Sequence, residues 1–282
     1  MQLPLDQLET RLEGELFYDN LWRSIFATDA SVFRSIPTAV AYPKTENDIK
    51  ILIEFARNHK TSLIPRTAGT SLAGQVVGEG IVVDVSKYFT RIGKLDEAAR
   101  TIIVQPGVIR DDLNRYLKPY GLFFGPNTST SNRCMVGGMA GNNSSGTTSI
   151  KYGVTRDKVN QIKALLTDGS EVVFAEISRE EFENKLKLET LEGEIYRSLY
   201  KELKPQEVQE RIIRNFPKPD IHRRSTGYAI DELLYSEVFS DRKKKLNLCD
   251  LLVGSEGTLA LLVGAAAAIN ARALSRLHVR VT

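Results

Sequence analysis

The chain has 282 residues, 42% hydrophobic and 26% charged, with a net charge of +3 from 38 basic and 35 acidic side chains. This is an ordinary globular balance, sufficient for one large domain or two modest ones, and the basic excess is too small to argue for nucleic acid. Two cysteines, Cys134 and Cys249, with no CxxC spacing, exclude a disulfide scaffold and give no local support for a zinc or iron–sulfur site. The polar N-terminus has no basic stretch followed by an apolar core, so no signal peptide is expected. The longest apolar run, Leu259 to Ile269, is too short to span a bilayer. A reducing cytoplasm is the expected compartment. The densest basic run, Arg242 to Lys245, reads as a solvated loop.

Met1 to Phe26 reads as one or two amphipathic helices, because Leu3, Leu5, Leu8, Leu12 and Leu16 recur at roughly helical spacing. Ala39 to Tyr42 is a short strand stopped by Pro43. Thr45 is a good N-cap with Asp48 three residues on, opening a helix whose apolar face carries Ile49, Leu52, Ile53 and Ala56. Residues 62–65 and 81–85 are further strands, the second an unbroken apolar run suited to a buried position. A second block begins near Gly93. In it, residues 101–105 are strand-like and residues 111–120 helical, with Gly121 as a C-cap. Two strands, 162–166 and 171–174, flank the turn Thr167-Asp168-Gly169-Ser170. Residues 178–215 are helical and highly charged. Leu251 to Val253 lead into Gly254-Ser255-Glu256-Gly257-Thr258, and no tandem repeat is present.

Two loops carry the chemistry. The first, Pro65 to Gln75, includes Arg66, Thr67, Ala68, Gly69, Thr70, Ser71 and Leu72 between two strands. Small residues let the main chain approach a ligand, and successive N–H groups can form an anion nest suited to a diphosphate. The spacing is neither a Walker loop nor GxGxxG. A plain structural turn remains open, and Arg66 can serve the anion or pair with a carboxylate. The second loop, Gly125 to Gly146, packs hydroxyls and amides around Gly137 and Gly138, ahead of Tyr152 and Gly153. It could cradle a large polar cofactor or be a flexible linker. Met135, Val136 and Met139 argue against the linker.

These segments, in this order, resemble the FAD-binding domain of the vanillyl-alcohol oxidase/p-cresol methylhydroxylase family, in its D-lactate and D-2-hydroxyacid dehydrogenase branch, which includes glycolate oxidase subunits. The match runs over roughly residues 25–262 and rests on Thr28-Asp29-Ala30-Ser31, Pro65 to Ser71, Pro126 to Gly146, Tyr152 to Asp157, and Gly254 to Leu259. It implies an α+β fold of two FAD-binding subdomains of the p-cresol methylhydroxylase type. The expected divisions are an N-terminal helical segment at 1–34, subdomains at 35–93 and 94–264, and an atypical tail at 265–282 with no substrate domain.

By the same resemblance, residues 66–72 would hold the pyrophosphate. Residues 129–135 and 142–145, among them Ser129, Thr130, Met135, Asn142, Asn143, Ser144 and Ser145, would line the ribityl chain and flavin ring, and Pro126, Gly137, Gly138, Gly146, Tyr152 and Gly153 would also bind the cofactor. Glu256, Gly257 and Leu262 would pass beside the adenosine end, with Gln105 to Gly107 nearby. Some members attach FAD through a histidine in the first loop. Thr70 stands there in this chain, so FAD would be non-covalent. The implied reaction is oxidation of a 2-hydroxy acid, with hydride passing to flavin and an electron acceptor completing the cycle. Arg224 or Arg223 is a candidate clamp for the substrate carboxylate, and Tyr228 a candidate wall. Surface arginines on a loop are the plainer alternative. The family's histidine cluster has no match in His59, His222 or His278, so a companion chain or a further C-terminal domain is the expected partner. The alternative reading is a non-catalytic FAD-binding module that needs such a partner.

Overall fold

The computed structural model describes residues 3–218, 221 and 227–271. Ala39–Tyr42, Leu63–Arg66 and Ile81–Asp84 form a parallel sheet with Ile81–Asp84 in the middle. Every residue of that middle strand is buried, as an unbroken apolar run requires. The helix Glu46–His59 makes the crossover between the first two strands, opened by a reciprocal capping box between Thr45 and Asp48. The Asp48 carboxylate also accepts the main-chain N–H groups of Glu13, Gly14, Lys44 and Thr45.

That carboxylate explains a departure from the leucine spacing. Helices cover only Leu5–Glu9 and Asn20–Ile25 of the N-terminal segment. Between them Glu15–Phe17 is a strand, antiparallel to Ala39–Tyr42. Two N–H groups bound by Asp48 turn the chain out of helix at residues 13 and 14, and Phe17 then stacks on Trp22 with ring centroids 4.2 Å apart.

The second sheet is antiparallel and has five strands, in the order Ile92–Asp96, Thr101–Val104, Leu261–Ala268, Val159–Leu165, Glu171–Phe174. Its centre corrects the expectation of a tail from residue 265. Ala265 to Ala268 pair residue by residue with Thr101 to Val104, and Ala265 packs in one cluster with Ala140. Alanine is a weak strand former, so tertiary packing rather than propensity makes this strand. The charged stretch 178–215 is three helices, Arg179–Leu186, Leu191–Leu203 and Gln206–Asn215. They cover one face of the sheet through Phe182, Tyr196, Leu203 and Ile212.

The two sheets are joined through the crossover helix. Leu165, Leu261 and Val263 of the second sheet bury against Ile49, Leu52 and Ile53 of that helix. Lys163 bridges Glu46 at 2.8 Å and Glu171 at 3.0 Å across the same junction. The loops at the ends of the strands therefore converge on one seam between the sheets.

Candidate functional site

A cleft of about 960 Å³ opens along that seam, near the top of the roughly 300–1,000 Å³ range of cofactor clefts. Both small-residue loops line it, although they lie far apart in the chain. From the first come Arg66, Thr67, Ala68, Gly69, Thr70, Ser71 and Leu72. From the second come Ser129, Thr130, Met135, Gly137, Gly138, Asn142, Asn143, Ser144 and Ser145, and from the late motif and central strand Glu256, Gly257 and Leu262. Thr28, Asp29, Ala30 and Pro106 also line the wall.

The first loop leaves the strand Leu63–Arg66. Among the described residues, none of the N–H groups from Thr67 to Leu72 has an intramolecular acceptor. A run of free donors around a small-residue turn suits an anion. The Arg66 guanidinium donates to the Thr28 carbonyl at 2.9 Å and lies 4.8 Å from the centroid of the Phe26 ring. Burial lowers its pKa, opposed by Asp84 and Asp29; an arginine keeps its charge under such a shift. Arg66 thus serves the loop through a carbonyl and an aromatic face, with the two carboxylates acting at longer range.

The second loop is ordered rather than a linker. Residues 136–142 form a short helix, although three glycines stand in it. A Cβ on Gly138 would sit 2.6 Å from Thr67 Oγ1, so glycine lets this helix meet the first loop without displacing the Thr67 hydroxyl. Farther along, the Ser144 carbonyl accepts both the amide and the hydroxyl of Thr155, at 3.1 and 2.6 Å. Asn143 accepts the Arg156 amide at 2.9 Å. Cys134 is buried and lines the cleft, and burial pushes its thiol pKa up.

Four of the residues expected at the cofactor do not line the cleft. Pro126 offers its carbonyl to Arg110 at 3.1 Å. Gly146 presses against the main chain of Asn127, where a Cβ would lie 2.2 Å from the carbonyl oxygen. Tyr152 packs edge-on to Phe123 with centroids 4.9 Å apart, and Gly153 turns the chain beside Asp157. These residues brace the second loop from behind. Tyr228 is exposed and shares a 2.6 Å hydrogen bond with Thr258, away from the cleft lining. Arg223 and Arg224 lie outside the described residues.

Two residues that the motifs contain, but that were not among the expected cofactor ligands, also matter. Ser255 Oγ and Asp29 Oδ2 are buried side-chain atoms in the cleft wall with no hydrogen-bond partner. A buried polar atom without a partner costs free energy unless a ligand supplies one. FAD matches this donor set. Its diphosphate suits the free N–H groups and Arg66, and its ribityl and ribose hydroxyls suit an acceptor such as Asp29. The signal in the sequence was membership of the motifs Thr28 to Ser31 and Gly254 to Leu259, which does not say which side chain faces inward.

A second cavity of about 1050 Å³ shares Pro65, Gly257, Ala260 and Leu261 with the cleft. Its other walls come from the crossover helix, the hairpin turn after Leu165, the start of the helix Leu191–Leu203 and residues 258–259. It contains no part of the second loop and only Pro65 of the first, so the cleft is the better candidate. Among the described residues no group of three or more His, Cys, Asp or Glu could hold a metal, and no helix is long and apolar enough to cross a membrane.

Comparison with known proteins agrees with this geometry. Residues 37–175 match the family described as FAD binding domain. The chain carries a FAD binding domain. Its fold is the two-subdomain α+β fold of the p-cresol methylhydroxylase type. Over 246 residues the chain is 37% identical to D-2-hydroxyglutarate dehydrogenase of Escherichia coli (strain K12), covering 86% of this chain and 23% of that relative. It is 35% identical over 152 residues to glycolate oxidase subunit GlcD of Bacillus subtilis (strain 168), covering 53% of this chain and 32% of that one. Among solved structures, alkyldihydroxyacetonephosphate synthase superposes with a TM-score of 0.64 at 16% identity, over 98% of this chain and 42% of that chain. This FAD binding domain thus spans about a quarter of the length of the dehydrogenase it matches.

Proposed function

We propose that this FAD binding domain serves a dehydrogenase of D-2-hydroxy acids, with D-2-hydroxyglutarate the first substrate to test and D-lactate and glycolate next. The observation that carries the proposal is the convergence of both loops on one cleft whose first loop offers unmatched N–H groups. The names of the 37% and 35% identical relatives supply the substrate class. FAD, when bound, supplies the hydride acceptor. The chain's own part is to bind and orient. Residues 66–72 take the diphosphate, and Ser129, Thr130, Met135, Gly137, Gly138 and Asn142 to Ser145 line the ribityl chain and ring. Glu256, Gly257 and Leu262 pass beside the adenosine end.

FAD is held without a covalent bond. Thr70 offers no imidazole, and the Cys134 thiol is buried with its pKa raised. Arg224 is the proposed clamp for the substrate carboxylate, since a guanidinium binds carboxylate bidentately. Tyr228, tied to Thr258, flanks that segment. A separate electron acceptor completes turnover, in a reducing cytoplasm compatible with two free cysteines. The test is anaerobic titration of the FAD-loaded protein with a panel of D-2-hydroxy acids. Loss of the ~450 nm flavin band with D-2-hydroxyglutarate supports the dehydrogenase.

A second reading differs only in where the substrate site lies. On that reading this is a FAD-binding module whose substrate site lies on another polypeptide. It is favoured if FAD binds, no hydroxy acid bleaches it, and a companion chain restores bleaching.

A further inference from the structure

The first loop has donors but little to hold its shape. Its N–H groups from Thr67 to Leu72 bond to nothing within the described chain. One half-buried side chain at its far end, Gln75, reaches all three ligand-facing segments. The Gln75 amide nitrogen donates to the Glu256 carboxylate in the late motif. Its amide oxygen accepts the Ser71 hydroxyl at 2.6 Å, from within the first loop, and the Asn142 amide at 3.2 Å, from the second. Ser71 in turn caps the turn that carries Gln75, accepting the Ala73 N–H at 3.2 Å. All four side chains line the cleft. Glu256 is itself anchored to the second loop, its N–H donating to the Gly141 carbonyl at 2.9 Å. The side chain of Gln75 therefore ties the free-standing loop to a pair of segments already joined to each other.

We infer that Gln75 is a positioning residue: it sets the first loop against Asn142 and Glu256, so that the unmatched N–H groups are aimed at the cleft before the ligand arrives. Its amide suits the task because one end must donate to a carboxylate while the other accepts two donors. A carboxylate at position 75 would keep both acceptor bonds and set like charge against Glu256. A loop pre-set in its bound shape loses less freedom on binding, so affinity rises without any new ligand contact. This rests on the FAD reading above for its ligand, though not for the hydrogen-bond network itself.

The polarity of the network makes it testable by exchange. Gln75→Glu opposes two carboxylates, whereas Gln75→Glu with Glu256→Gln restores every bond, donor and acceptor reversed only between 75 and 256, since Ser71 and Asn142 still donate to position 75. FAD affinity, read by flavin fluorescence quenching on the 282-residue chain, should fall roughly tenfold in Gln75→Glu. In the double variant it should exceed that of Gln75→Glu, and be judged against Glu256→Gln alone, since Glu256 itself lines the cleft. Amide exchange of residues 66–76, measured without FAD, should quicken and recover in the same order. Gln75→Asn keeps the amide but shortens the reach, and should lie between; it stands in if Gln75→Glu does not fold. Unchanged affinity and exchange in Gln75→Glu overturn the inference, as does a double variant whose loop exchanges as fast as the single. Exchange decides the matter where Glu256→Gln alone weakens FAD. If wild type binds no FAD, the cofactor reading fails, and loop exchange still tests the role of Gln75.

Discussion

Two junctions in this molecule bury polar side chains, and they treat them in opposite ways. At the N-terminal junction the Asp48 carboxylate is fully buried and accepts four main-chain N–H groups, from Glu13, Gly14, Lys44 and Thr45. At the cleft, Ser255 Oγ and Asp29 Oδ2 are buried with no partner, and a run of N–H groups in the first loop is unmatched. The first junction is closed: every bond it offers is used to hold the chain. The second is open, and what it lacks is a polar, extended ligand. A satisfied buried charge signals architecture, and an unsatisfied cluster facing a cleft signals binding.

The contrast sets the order of expected effects. Gly138→Val should abolish FAD uptake. The physical reason is the 2.6 Å approach to Thr67 Oγ1: the added side chain drives the second loop from the first rather than merely filling ligand space. Retention of bound flavin by that variant, read from its absorbance, would break the account of how the loops meet. Asp48→Ala should cost about 3 kcal/mol of stability, seen as a lower denaturation midpoint. Under folding conditions its FAD affinity should stay near wild type, since Asp48 is not in the cleft wall.

Ser255→Ala should do the reverse. It removes a hydroxyl with no partner, so the ligand-free protein should be as stable as wild type or slightly more so. Its FAD affinity should weaken by a factor of about five, on the order of 1 kcal/mol. A loss of stability without loss of affinity would place Ser255 with Asp48 on the architectural side. The smallest effect concerns the thiols. Burial pushes the Cys249 thiol up to about 12 and raises that of Cys134 as well. Both are therefore protonated at pH 8, and a thiol reagent should titrate no cysteine in the native protein and two after denaturation.

Much of the closed junction was legible in the sequence. Thr45 and Asp48 announce the crossover helix, and the capping box forms as their spacing predicts. Asp168-Gly169 between apolar runs announces the hairpin, which pairs Leu165 with Glu171. Glu15–Phe17 was not legible, because a three-residue edge strand sits inside a leucine pattern with helical spacing and is set by Asp48 from across the junction. The strand through Ala265 was hidden because alanine carries almost no strand signal and owes its place to packing.

At the open junction, glycine and serine density located the loops, but could not say which member faces the ligand. Gly137 and Gly138 face the cleft, while Gly146 and Gly153 serve turns behind it. Ser255 and Gln75 owe their importance to contacts 67 to 181 residues away or to the absence of any, and no local spacing encodes that.

The central claim is that the two loops form one seat for FAD. Its most direct test is reconstitution of the purified chain with FAD, removal of free cofactor, and the visible spectrum. The account predicts bands near ~370 and ~450 nm at about one flavin per chain. A colourless protein that retains no FAD would contradict it.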